Sequence, residues 1–207
     1  MSEKHQKAWF NEQTSEYFTP KGRLVYPTLI EPKINKKFPT NPPKFSATLL
    51  IPKSADIGVI SAEILRQTEA LYGKDWKELD PAVKMPIKKT KNFESLAEYA
   101  EEYPMFLRVS ANAEYPPALF GPDLKPAKKE ASEVYGGRWA IMALNIWGPK
   151  PENKNVNRFI GLGVQRVQLL DHDDPIATGR INTADGFEAA AAGSGASSGG
   201  DTDDVFA

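Results

Sequence analysis

The chain has 207 residues, 41% of them hydrophobic and 26% charged, with a net charge of −1; this suffices for one good core with extra arms or loops and is short for two full domains. It has no cysteine, which excludes a disulfide frame and a thiolate metal site. No apolar run approaches the roughly 18 residues of a membrane span. The start "MSEKHQKAWFNEQ" places charges and amides where a signal peptide needs an apolar stretch, so a cytosolic protein without a membrane partner is expected.

Residues 1–20 are polar, with Trp9, Phe10, Tyr17 and Phe18 spaced among charges, and read as an N-terminal arm that packs on the body or on a partner. "GRLVYPTLI" (22–30) and "KFSATLLIP" (44–52) are β-branched and aromatic runs, joined by a proline-rich loop, and predict two strands. "KSADIGVISAEILRQTEALYG" predicts a helix: Ser54 or Asp56 can cap it, Ile57, Ile60, Ile64, Leu65, Thr68 and Leu71 line one face, and Gly73 stops it. A lysine-rich irregular stretch follows, then a short helix in "FESLAEYAEEYP".

"MFLRVSANAEY" (105–115) alternates, with Met105, Leu107, Val109 and Ala111 on one face and Phe106, Arg108, Ser110 and Asn112 on the other. "SEVYGGRWAIMALNIWG" turns at Gly136 and Gly137 into an apolar strand. "NRFIGLGVQRVQLL" (157–170) is the last, its glycines pointing to a bulge or tight bend. Five strands with one helix after the second predict a mainly β, small and partly open barrel. The expected division is an arm (1–20), a barrel domain (21–180) and an acidic C-terminal tail (181–207), with a Gly/Ser/Ala linker from 186 to 200.

The charge is unevenly spread. Residues 1–170 hold 25 basic and 19 acidic side chains, a balance of +6, whereas residues 171–207 hold eight acidic side chains and Arg180, a balance of −7. A basic body with an acidic tail suits a polyanion binder that carries its own competitor, or two solvated ends.

Catalytic chemistry is sparse. Only His5 and His172 offer an imidazole, and no phosphate loop, nucleophile elbow or HExxH motif is present. No cofactor, catalytic residue or metal ligand is assigned. The carboxylates of "DHDDP" (Asp171, Asp173, Asp174) could hold a hard metal, although consecutive residues of an extended chain point to opposite sides. More telling is the interleaving of rings and cations: Phe106 with Arg108, Arg138 with Trp139, Trp147, and Arg158 with Phe159, together with Lys44 and the long-loop lysines Lys84, Lys88, Lys89 and Lys91. Cations that follow phosphates and rings that stack on bases of any identity are what single-stranded nucleic acid requires. Trp139 and Trp147 share a strand face with Ile141 and Ala143, which leaves a core role open for both.

The blocks "GRLVYPTLIEPK", "PKFSATLLIPKS", "SEVYGGRWAIMALNIWG" and "NRFIGLGVQRVQLLDHDDPI" occur in this order over residues 22–180. They resemble a family of phage single-stranded DNA-binding proteins. The resemblance implies a five-stranded OB-fold that binds single-stranded DNA during phage replication or recombination, in the cytoplasm of the infected host. A more distant likeness links the chain to podophage replication proteins whose acidic tail ends in phenylalanine, contacts replication proteins and covers the DNA groove when DNA is absent. Asp201, Asp203, Asp204 and Phe206 match that tail, except that Ala207 follows the phenylalanine. The rival expectations are a metal-dependent DNA-processing enzyme using Asp171–Asp174, and an interaction adaptor that binds no DNA.

Overall fold

The computed structural model describes residues 5–36, 38–79, 81–149 and 158–176. In chain order its strands are β1 (Trp9–Asn11), β2 (Glu16–Phe18), β3 (Gly22–Lys33), β4 (Lys44–Ile51), β5 (Ile87–Lys89), β6 (Met105–Asn112), β7 (Ala118–Phe120), β8 (Trp139–Trp147) and β9 (Gly161–Leu169), with helix α1 (Gly58–Tyr72) between β4 and β5. Antiparallel pairing runs β3–β4, β4–β6, β3–β8 and β8–β9. The ring closes where β6 meets β9 through one parallel pair, Ser110 opposite Gly163. This is the closed five-stranded barrel of an OB-fold, with its helix after the second barrel strand, as expected.

Alternation along the strands decides what lies inside. Leu24, Leu49, Leu107, Val109, Met142, Leu144 and Val167 all point into one cluster, which α1 caps with Ile57, Ile60 and Ile64. Each fully buried leucine of this kind stabilises the fold by about 1.5–3 kcal/mol. On β8 the inward residues are Ala140, Met142, Leu144 and Ile146, so the face that holds Trp139 and Trp147 is the outer one. The Asp56 carboxylate accepts the Gly58 N–H at 2.7 Å just ahead of α1. At the far end Gly73 takes a φ of 83° and returns its N–H to the Glu69 carbonyl.

Four short strands lie outside the five-strand expectation. The arm folds into the β1–β2 hairpin, whose cross-strand rings Trp9 and Phe18 stack at 4.8 Å and whose second strand pairs with β8. The lysine-rich segment supplies β5, which pairs with β6 and fills the gap where β6 and β9 diverge. The short helix expected at 93–104 is a 3-10 turn, Glu94–Tyr99. It covers a second apolar cluster on the outer wall, made of Val25, Leu50, Leu96, Tyr103, Phe106 and Ile176.

Residues 171–176 are strapped to the barrel instead of leaving it. The Lys21 ammonium donates to Asp171 at 2.6 Å, the Trp139 indole N–H donates to Asp173 at 2.7 Å, and Arg23 reaches the Asp174 carbonyl. Ile176 is buried and its N–H bonds the Gly136 carbonyl. Gly137 has a φ of 111°, and a Cβ there would run into the Asp174 carbonyl, so the strap needs glycine twice over. Lys21 holds the Asp171 carboxyl below its usual range. The Asp174 N–H, followed by the Trp139 indole, does the same for Asp173.

A depressed carboxylate contributes stability above its ordinary pKa and loses it as pH falls through the bound value. The strap should therefore be fully seated at neutral pH and released only below about pH 4, beneath the usual 3.8. Acid titration of tryptophan fluorescence should show this step, and an Asp171→Asn/Asp173→Asn variant should lack it.

Candidate nucleic-acid interface

Because the even positions of β6 face outward, Arg108 and Ser110 stand on the outer wall beside the β6–β9 seam. The register carries a row of small polar residues across this wall: Thr28 opposite Ser46, Ser46 opposite Ser110, Ser110 opposite Gly163, and Gly163 opposite Asn145. Thr28 and Ser46 share a hydroxyl–hydroxyl hydrogen bond of 2.9 Å. The floor is thus low, hydrogen-bonding and free of bulky side chains.

A groove runs along this floor, lined by Lys44, Lys84, Lys88, Arg108, Trp147 and Phe159, with Pro86, Ser110 and Gly161 among them. Lys44 opens β4, Lys88 lies in β5, and Lys84 is pinned by backbone bonds to Arg158 and Ile160. Trp147 is 42% exposed and meets Phe159 edge-on at 5.2 Å. The Arg108 guanidinium lies 5.0 Å over the Phe93 ring. Four cations and two accessible rings converge on one concave surface.

Gly161 explains how the tryptophan is presented. It pairs with Trp147 across β8 and β9, and a Cβ at this position would sit 3.0 Å from the indole. With hydrogen there, the indole rests on the β9 backbone. The glycines of β9 were expected to mark a bulge or bend, and β9 does carry the one β8–β9 register shift: consecutive Ala143 and Leu144 pair with Arg166 and Val164, so Gln165, two residues after Gly163, is the extra residue.

Five of the expected contact residues, Lys44, Arg108, Lys88, Trp147 and Phe159, share this groove. Lys89 and Lys91 are exposed but lie off its lining. Arg158 is next to the groove and donates to the Pro81 carbonyl at 3.1 Å.

Three expected contacts are corrected. Phe106 does alternate to the outer face with Arg108, but the 93–99 segment folds over it, leaving it 0% exposed and edge-on to Phe93 at 4.9 Å. Arg138 is 2% exposed. Its donors are taken by the Leu170 carbonyl at 2.7 Å, Glu133 at 3.1 Å and His172, so it anchors the strap. Trp139 is half-buried between Lys21 at 4.6 Å and Asp173, also under the strap. Asp201, Asp203, Asp204 and Phe206 lie outside the described residues. Sequence reading left Gly161 out of the site, and the nearness of Lys84 to Phe159 depends on a chain crossing that no local pattern encodes.

A family model described as "Enterobacter phage Enc34, ssDNA-binding protein" matches residues 16–197. The chain belongs to this family. Among solved structures it is similar to the single-stranded DNA-binding protein of bacteriophage Enc34 in complex with ssDNA, at 21% identity and a TM-score of 0.61, covering 85% of this chain and 97% of that one. It is also similar to gp2.5, a single-stranded DNA-binding protein encoded by bacteriophage T7, at 14% identity and a TM-score of 0.57, covering 81% and 98%. At these identities the likeness shows the fold. No curated protein matches the chain.

Two substitutions separate groove from core. Gly161→Ala should tilt the Trp147 ring off β9, shifting its fluorescence while the melting temperature falls little. Phe106→Ala should instead cost about 3–5 kcal/mol of stability, as a buried phenylalanine does, read as a lower denaturation midpoint.

Proposed function

We propose that the chain binds single-stranded DNA without regard to sequence along the outer groove, and performs no chemistry on it. The observation that carries this reading is the convergence of Trp147, Phe159, Lys44, Lys84, Lys88 and Arg108 on a floor of small residues. Rings there can stack on successive bases while the cations follow the phosphates. Membership of the family supports it, as does the ssDNA complex of the Enc34 protein. Such binding serves phage DNA replication or recombination in the infected bacterial cytoplasm.

The rival metal-dependent enzyme would need Asp171–Asp174 to face a cation. Asp171 and Asp173 are turned to Lys21, Arg23 and Trp139 instead. Among the described residues no group of three or more His, Asp or Glu side chains could hold a metal.

The tail completes the proposal. From Ile176 to Phe206 is 30 residues; a Gly/Ser-rich random coil of that length has an end-to-end distance of about 27–33 Å. A body of some 170 residues has a radius of gyration near ~15 Å, so the tip reaches the groove. Its carboxylates and Phe206 imitate a short strand, competing for the same cations and rings at an effective concentration on the order of millimolar. Displaced by DNA, the tip is free for a phage or host replication protein.

Titration of tryptophan fluorescence with oligo-dT tests the binding. If ~3–5 phosphates are neutralised, log affinity should fall against log salt with a slope of about −2 to −3.5. Trp147→Ala should cost ~1–3 kcal/mol of binding with the fold intact. A chain that binds no oligo-dT would leave the adaptor reading, and turnover of DNA in Mg²⁺ or Mn²⁺ would restore the enzyme.

Removal of residues 186–207 tests the tail separately. Oligo-dT binding should tighten about 3- to 10-fold at low salt, equivalent to ~0.7–1.4 kcal/mol, and less as salt screens the carboxylates. Partner recruitment should be lost. Unchanged affinity together with retained recruitment would reduce the tail to a solvated end.

A further inference from the structure

Tyr26 is exposed, aromatic and held in a conformation that few tyrosines adopt. Its φ is 50°, in the left-handed region, and it precedes Pro27, where a residue is normally driven to extended backbone. It sits at the irregularity in β3 where pairing with β4 shifts between Val25 and Thr28. Strain of this kind persists only when the surroundings impose it, and it concentrates at functional positions. Here the backbone on the N-terminal side is fixed by Leu24, which donates to the Arg138 carbonyl and accepts from Gly137. The bulge turns the ring outward, leaving Tyr26 43% exposed.

Its place on the barrel links it to the groove. The residues flanking it, Val25 and Thr28, pair with Thr48 and Ser46, which in turn pair with Arg108 and Ser110. The polar floor then continues to β9 and β8, ending beside Trp147. Trp147 and Tyr26 therefore lie at the two ends of one path around the outer wall of the closed barrel, where β3 and β8 also pair directly through Arg23 and Trp139. Four steps separate β8 from β3 along this path, which at ~4.8 Å per strand is about 19 Å. Beyond Tyr26 the wall is concave and bordered by Pro27, Tyr135 and Pro175, which leaves room for a flat ring to lie on the tyrosine.

We infer that Tyr26 is a further base-stacking residue, the second aromatic shelf of the strand track, with the β3 bulge serving to present it. The inference rests on the DNA-binding reading above. It implies that a strand long enough to span β8 to β3 stacks at both ends, whereas a very short one occupies the Trp147–Phe159 end alone.

The test uses the full chain and oligo-dT of about four and about 15 nucleotides, within the range of OB-fold site sizes. Tyr26→Ala should weaken binding of the longer strand about ten-fold, a moderate loss for one stacking ring. It should leave the shorter strand within about two-fold. Tyr26→Phe should bind as the parent does. Tyr26→Gly and Tyr26→Asn, which accommodate a positive φ, should keep or raise the melting temperature and still lose the ten-fold. Parental affinity for the longer strand in folded Tyr26→Gly or Tyr26→Asn chains would overturn the inference. If Trp147→Ala and Arg108→Ala also bind as the parent does, the groove reading itself fails. If those two weaken both strands while Tyr26 variants are silent, the track ends at Arg108.

Discussion

The barrel closes through one parallel pair, Ser110 against Gly163, and the rest of the molecule is arranged around that weak seam. Below it β6 and β9 diverge, so their backbone donors and acceptors need other partners. Residues 84–89 provide them: Arg108 donates to the Pro86 carbonyl, Lys84 to the Arg158 carbonyl, and Ile160 to the Lys84 carbonyl. The inserted segment alternates like any strand. Met85 and Ile87 pack inward, while Lys84, Pro86 and Lys88 border the groove. Closure of the fold and assembly of the cationic track are therefore one event.

The outer wall is divided between two uses. Near the seam it stays polar and open, with Arg108 lying over Phe93. Further along β6 and β3 it is roofed by the 93–99 turn and by Ile176, which bury Phe106, Val25 and Leu50. The strap satisfies the buried Arg138 and neutralises Lys21 and Arg23, so the chain leaves the barrel from a fixed point on this same wall.

Period-2 alternation made the five barrel strands readable, and it placed Arg108 on the outer face of β6. Helix α1 was readable from the spacing of Ile57, Ile60 and Ile64 and from Gly73. What alternation cannot report is whether an outward residue is later covered. Phe106 and Arg108 occupy the same face, yet a turn from the preceding segment roofs only the first. Arg138 and Trp139 looked like a stacking pair because the four residues Asp171–Asp174, which claim them, read locally as solvated charge. The arm hairpin depends on cross-strand stacking of Trp9 on Phe18, a contact between residues too few and too polar to announce a strand. Gly161 carried a visible signal, a glycine inside a strand, but its partner Trp147 is set only by register.

The central claim is that DNA lies over the β6–β9 seam, and its most direct test is where a bound strand touches. Irradiation of the full chain with an oligonucleotide carrying 5-iodouracil, followed by mass spectrometry, maps the aromatic residues in contact with bases. The account predicts crosslinks at Trp147 and Phe159. Crosslinks confined to Trp9, Phe10 and Phe18 of the hairpin, or to Trp139 under the strap, would place the strand on another face and contradict it.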